Sequence, residues 1–215
     1  MQTFNNIFTK FSLPGFFEEK ALEDVLQRVW NRRYLDLYDE EGECDVHNAF
    51  TEVLEKFGKP DDTTKHKRYV YMAWVIALAA SFTIEAWFPQ DTRPKLLLKQ
   101  VLSWLKNETE VISDLADNCF SDYSERGIHT AAGEAYVIFY RFLKTLDETQ
   151  AYQSLLCMLD GAFIGVALTL QYLERREFFN WWLVDVTPYT YYLELPKYLC
   201  TAGGIVPLDS VYLID

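Results

Sequence analysis

Two carboxylates in this chain fall where charge is costly. Glu85 lies in the apolar run Tyr69–Phe88, and Asp160 lies near the middle of Ala151–Leu173. A carboxylate in such a place needs a cation or a ligand to offset its desolvation. For Glu85 the nearest cation along the chain is Arg93, just past the following turn. The spacing predicts a Glu85–Arg93 pair that ties two helices together, with Asp91 capping the second. The alternative is an internal pocket in which Glu85 and Asp160 bind a small ligand or carry catalysis. Asp160 is followed by Gly161 and Gly165, and this Gly-x-x-x-Gly spacing predicts a close helix crossing.

Metal chemistry finds little support. Glu43 and His47 are four apart and would share a helix face, but a helical di-iron site needs carboxylates and Glu-x-x-His pairs from two helices. The chain has three histidines, His47, His66 and His129, too few for a multi-histidine site. The acids Asp36, Asp39, Glu40, Glu41, Glu43 and Asp45 are dense enough to suggest calcium. Gly42 in the sixth position of an EF-hand would place Leu37 first, so the register fails. These six acids read instead as a dense negative patch on an exposed connection, either a solvated loop or a surface complementary to a basic partner. No metal ligands and no cofactor are expected.

Other signatures are missing. The sequence has no Gly-x-Ser-x-Gly elbow and no phosphate-cradling glycine loop after a strand. Acid pairs such as Asp114/Asp117 and Asp122/Glu125 have helical spacing on a solvated face. Trp181 and Trp182 read as a roof over the core. The cysteines Cys44, Cys119, Cys157 and Cys200 are 75, 38 and 43 residues apart, which is neither a disulfide framework nor a zinc module. Free thiols in a reducing cytoplasm are expected.

The elements that position these residues are helical. Leu22, Val25, Leu26, Val29 and Trp30 recur at the spacing of an amphipathic helix, preceded by Pro14, Glu18 and Glu19. Asp45 can cap a second helix bearing Val46, Phe50, Val53, Leu54 and Phe57, stopped by Gly58 and Pro60. The run Tyr69–Phe88 forms a third, ended by Pro89. A fourth opens at Asp91-Thr92-Arg93-Pro94 and buries Leu97, Leu98, Val101, Leu102 and Leu105. Further helices are expected around Ile112–Tyr123, Ala132–Leu143, Ala151–Glu174 and Arg176–Asp185. Residues 95–187 contain no proline, which fits long helices and excludes a turn-rich β-sandwich.

This pattern predicts an all-α bundle of about seven to eight helices over residues 1–185. Residues 186–215, rich in tyrosine and broken by Pro188 and Pro196, are expected to form an irregular or partly extended tail packed on the same domain. Half of the 215 residues are hydrophobic, enough to build a core without a metal or disulfide. The formal net charge of −12 argues against a nucleic-acid binder. The acid excess is uneven, because residues 51–100 carry eight bases against six acids. Tyr69–Phe88 has the length of a membrane span, but Glu85 and the alanine content favour a buried central helix. No membrane association is expected.

The stretch Glu85-Ala86-Trp87-Phe88-Pro89-Gln90-Asp91-Thr92-Arg93-Pro94, followed by a Leu-rich helix and Trp104, resembles the helical immunity proteins of bacterial polymorphic-toxin systems. In that family a helix ending in glutamate leads through an Asp-x-Arg-Pro turn into a helix with a late Trp, followed by small-residue-rich helices such as Ala131-Ala132-Gly133-Glu134-Ala135. The resemblance spans about residues 70–170. It implies a non-catalytic cytoplasmic protein that binds and neutralises a cognate protein toxin, with Glu85, Asp91, Arg93 and Pro94 as scaffold. An acidic inhibitor would also associate faster with a basic toxin.

Overall fold

A computed structural model of the chain describes residues 20–37, 42–108, 131–164, 175–201 and 204–211. Helices dominate them: α1 (Lys20–Trp30), α2 (Val46–Phe57), α3 (Thr63–Trp87), α4 (Arg93–Leu105), α5 (Ala131–Lys144), α6 (Ala151–Ile164), α7 (Arg175–Trp181) and α8 (Thr187–Tyr191). A π turn, Trp182–Val186, joins α7 to α8. Strands β1 (Tyr198–Thr201) and β2 (Gly204–Pro207) then pair antiparallel, Tyr198 opposite Pro207 and Thr201 opposite Gly204. The all-α multi-helix bundle read from the sequence is the observed architecture. The helix expected at Ile112–Tyr123 and the acid pairs beside it lie outside the described residues.

Helix α3 is the axis of the bundle. Every residue from Tyr69 to Ser81 is buried, so its apolar surface runs around the whole circumference. It packs against α2, α4, α5, α6, α8 and β1. The amphipathic neighbours turn their apolar stripes toward it, among them Leu97, Leu98 and Val101 of α4 and Tyr136, Phe139 and Phe142 of α5. It is long and apolar enough to cross a membrane, yet 78% of its most apolar window is buried within the fold. Asp62 starts it by accepting the Lys65 N–H at 2.9 Å, as Asp45 starts α2 through the His47 N–H at 2.6 Å.

Polar groups on α3 hold the neighbouring helices in place. The Trp74 indole donates to the Leu98 carbonyl of α4 at 2.8 Å. The Tyr69 hydroxyl sits 2.6 Å from the Gly58 carbonyl at the end of α2. At the entrance of α3, buried Lys67 donates to the Leu105 carbonyl at 3.1 Å and to Asn107 Oδ1 at 2.5 Å. Buried His66 meets the Thr145 carbonyl through Nε2 at 2.8 Å. Leu105 and Thr145 stand at the C-terminal ends of α4 and α5, where orphan carbonyls and the negative dipole end favour donors and cations. This accounts for part of the basic band around residues 51–100.

The C-terminal tail is the irregular, partly extended segment expected, with a short helix at its start and a two-stranded hairpin within it. The chain stays helical past Asp185 to Tyr191, because the π turn lengthens one hydrogen-bond ring and places Pro188 in the first turn of α8, where no donor is needed. Asp185 is buried in that turn and accepts the backbone N–H groups of Tyr198 at 3.0 Å and Lys197 at 3.3 Å. Trp181 and Trp182 are fully buried, so they do roof the core. Trp181 at the end of α7 donates to the Tyr198 carbonyl at 3.0 Å, which adds a second tie from this helical segment to β1.

Two glycines differ sharply. A Cβ on Gly161 would meet no atom within 4 Å, so the expected close helix crossing does not occur at that residue; Gly165 lies outside the described residues. A Cβ on Gly42 would sit 2.7 Å from the Tyr34 carbonyl carbon and closer still to the Leu35 nitrogen. There the chain runs beside Tyr34 in a parallel bridge to Cys44, with Glu43 N–H bonded to the Arg33 carbonyl at 3.0 Å.

Thermal or urea unfolding should therefore give opposite signs for two alanine substitutions. Gly161→Ala gains about 0.5–1 kcal/mol from helix propensity, and Gly42→Ala loses about 1–3 kcal/mol through backbone displacement. Equal effects would contradict these environments. Burial pushes the Asp185 carboxyl up to about 6, against the opposing pull of the Tyr198 and Lys197 N–H groups. A raised folded-state value means the folded protein holds the proton more tightly than the unfolded chain. The associated stability is complete below pH 4 and disappears as pH rises through 6. The stability of the wild type relative to Asp185→Asn should fall by about 3 kcal/mol between pH 4 and pH 7 and then stay level. A difference independent of pH would contradict it.

Candidate functional site

Helix α3 outruns the bundle at its C-terminal end. Ile84 is its last buried residue, and Glu85, Ala86, Trp87 and the following Phe88, Pro89 and Gln90 are exposed. The Phe88 N–H closes the helix on the Ile84 carbonyl at 2.7 Å, and the Asp91 N–H closes a turn on the Phe88 carbonyl at 3.0 Å. This geometry overturns the expectation that Glu85 is a buried charge. Its side chain is 48% exposed because the helix extends past its covering partners.

The expected Glu85–Arg93 pair is not formed. Arg93 turns back onto Asp91 in a two-pronged contact, Nε to Oδ1 at 2.9 Å and Nη2 to Oδ2 at 2.8 Å. Asp91 Oδ1 also receives the Arg93 backbone N–H at 3.1 Å, and Tyr136 of α5 donates its hydroxyl to Oδ2 at 2.8 Å. Burial pushes this carboxyl up, but the hydrogen bonds from Arg93 and Tyr136 outweigh it and hold it below the usual carboxylate range. Pro94 is buried in the first turn of α4. Asp91, Arg93 and Pro94 thus form a clamp that fixes the α3–α4 turn on α5; the cap position of α4 is Thr92 rather than the expected Asp91, which takes the Arg93 N–H from one residue earlier. Fork geometry explains the choice of partner: a guanidinium binds both oxygens of one carboxylate best, and Asp91 is two residues away.

Glu85 instead takes Lys95 Nζ at 2.6 Å. The pair borders a groove of about 540 Å³ between α3 and α4, lined by Ser81, Phe82, Glu85, Thr92, Lys95, Leu96, Lys99 and Val211. Lys99 has no hydrogen-bond or ion-pair partner among the described residues. Asp160 does not line this groove, so the structure does not place Glu85 and Asp160 in one pocket there. Asp160 is paired across α2 and α6 with His47, whose Nδ1 lies 2.9 Å and 3.2 Å from its two oxygens. That contact spends His47 on a helix–helix tie, and no group of three or more His, Cys, Asp or Glu side chains that could hold a metal occurs among the described residues.

Of the six acids considered as a partner surface, Asp45 caps α2 and Glu43 is exposed. Asp36 belongs to a short 3-10 turn, Leu35–Leu37, and Asp39, Glu40 and Glu41 lie outside the described residues. The sequence reading missed Lys95, Leu96 and Lys99. Their signal was present: two lysines four apart flank a leucine that stands outside the buried stripe of α4.

The clamp and the surface pair should separate in unfolding experiments. Asp91→Asn and Arg93→Met each cost about 1–3 kcal/mol, since each breaks the two-pronged contact between the guanidinium and the carboxylate. Glu85→Gln costs under about 1 kcal/mol, as befits a half-exposed ion pair. A Glu85 substitution as damaging as the clamp substitutions would contradict the assignment.

In comparisons with protein-family models, with curated proteins and with solved structures, nothing matches the chain.

Proposed function

We propose that this chain is a non-catalytic protein of toxin-immunity type, which acts in the cytoplasm by binding and neutralising a cognate toxin. The observation that carries the reading is the exposed apolar edge at the α3–α4 turn: Trp87 is 63% exposed, Phe88 39% and Leu96 56%. Large side chains left open to water on a fixed scaffold are the usual anchors of protein interfaces, with Trp the most enriched. The Asp91–Arg93–Tyr136 clamp fixes the turn that carries Trp87 and Phe88, so little conformational freedom is lost when a partner covers them. These residues belong to the stretch on which the resemblance to the immunity proteins rests. The net charge of −12 would speed encounter with a basic toxin.

Co-expression with the product of the adjacent gene, followed by pull-down and a growth-rescue assay, tests the reading. The expected result is a stable complex and rescue from toxicity. The substitution Trp87→Ala should weaken the complex at least about thirtyfold without lowering the unfolding temperature. A neighbouring toxin that is neither bound nor neutralised would end the proposal.

A further inference from the structure

We infer that the α3–α4 groove is a binding site for a small amphiphilic monocarboxylate: an aliphatic or aryl-aliphatic chain bearing one carboxylate. Its volume of about 540 Å³ falls within the range of small-molecule sites. The walls divide chemically. Phe82, Leu96 and Val211 supply apolar surface, and the cationic side is built by Lys95 and Lys99, one turn apart on α4.

Charge complementarity selects the head group. Glu85 neutralises Lys95 at 2.6 Å, while Lys99 meets no partner among the described residues. The groove therefore keeps one uncompensated positive charge on a chain whose net charge is −12. A single carboxylate matches that excess; a dianion would bring one charge too many, and a cation would be repelled. Thr92, next to Lys95, makes no capping bond with its hydroxyl, which leaves a neutral donor beside the ammonium groups. A ligand with its carboxylate at Lys99 would lay its chain along Leu96 and Phe82, covering part of the most exposed leucine of α4. The site shares Leu96 with the edge proposed for the toxin partner, but its ligand is a small molecule and its head-group residues Lys95 and Lys99 lie outside that edge.

Isothermal titration of the full chain with sodium dodecanoate, kept below its micelle concentration at pH 7.5, tests the site. The expected result is saturable binding of one molecule per chain. Acetate, which has the head without the chain, and dodecyltrimethylammonium, which reverses the charge, should each bind at least about tenfold more weakly. Lys99→Gln should weaken dodecanoate about tenfold or more, the worth of one charge-assisted hydrogen bond, and Leu96→Glu should abolish it. Both positions are exposed, and unchanged circular dichroism and unfolding temperature will show that the variants fold. Absence of dodecanoate binding, equal binding of the cationic surfactant, or undiminished binding by both variants would each overturn the inference.

Discussion

Helix α3 is apolar on every side, so it can exist in water only if other parts of the chain enclose it. Burying each of its large side chains is worth about 1.5–3 kcal/mol, and only a continuous sheath collects that gain around the full circumference. The sheath is drawn from along the described chain, from α2 through α4, α5 and α6 to α8 and β1. The arrangement of the remaining elements follows from this requirement. Each covering helix brings an apolar stripe, and the polar atoms of α3 select how far along its axis each stripe sits. Trp74 sets α4, Tyr69 sets the end of α2, and Lys67 and His66 take up the carbonyls where α4 and α5 finish.

Enclosure stops at Ile84, and the surface chemistry of the molecule gathers where it stops. The three residues of α3 beyond that point cannot be covered by helices that end or turn away, so Trp87 and Glu85 face water. The clamp of Asp91 and Arg93 then has a clear purpose in the fold. It reverses the chain tightly enough for α4 to return along α3, and Tyr136 ties that reversal to α5. The groove beside Glu85 and Lys95 opens between the two helices next to that turn.

The parts of the fold that were legible in the sequence are those governed by local period. Leu22, Val25, Leu26 and Val29 follow one helical stripe, and all four are buried as that stripe requires. Asp45, Gly58 and Pro94 act at helix ends because their local chemistry suits those places whatever the surroundings. Pairings between elements were harder to read. Arg93 had two carboxylates within reach, and the choice of Asp91 depends on the turn's geometry and on a tyrosine 43 residues further along. Asp160 drew attention as a charge in an apolar run, yet its partner His47 is 113 residues away on α2. Asp185 gives no signal in the sequence, because its role depends on backbone donors at Lys197 and Tyr198, which no local pattern brings to it.

The enclosure of α3 also links the stability of this protein to its aggregation behaviour. At 25 residues the helix is about 37 Å long, enough to span the hydrocarbon core of a bilayer. Its covering comes from segments far apart in the chain, so peeling away any one of them strips an entire side. The intermediate then offers water the same surface that a membrane span offers lipid. For a helix sheathed in this way, the loss of one covering segment exposes the kind of apolar surface that makes partly folded chains prone to aggregate.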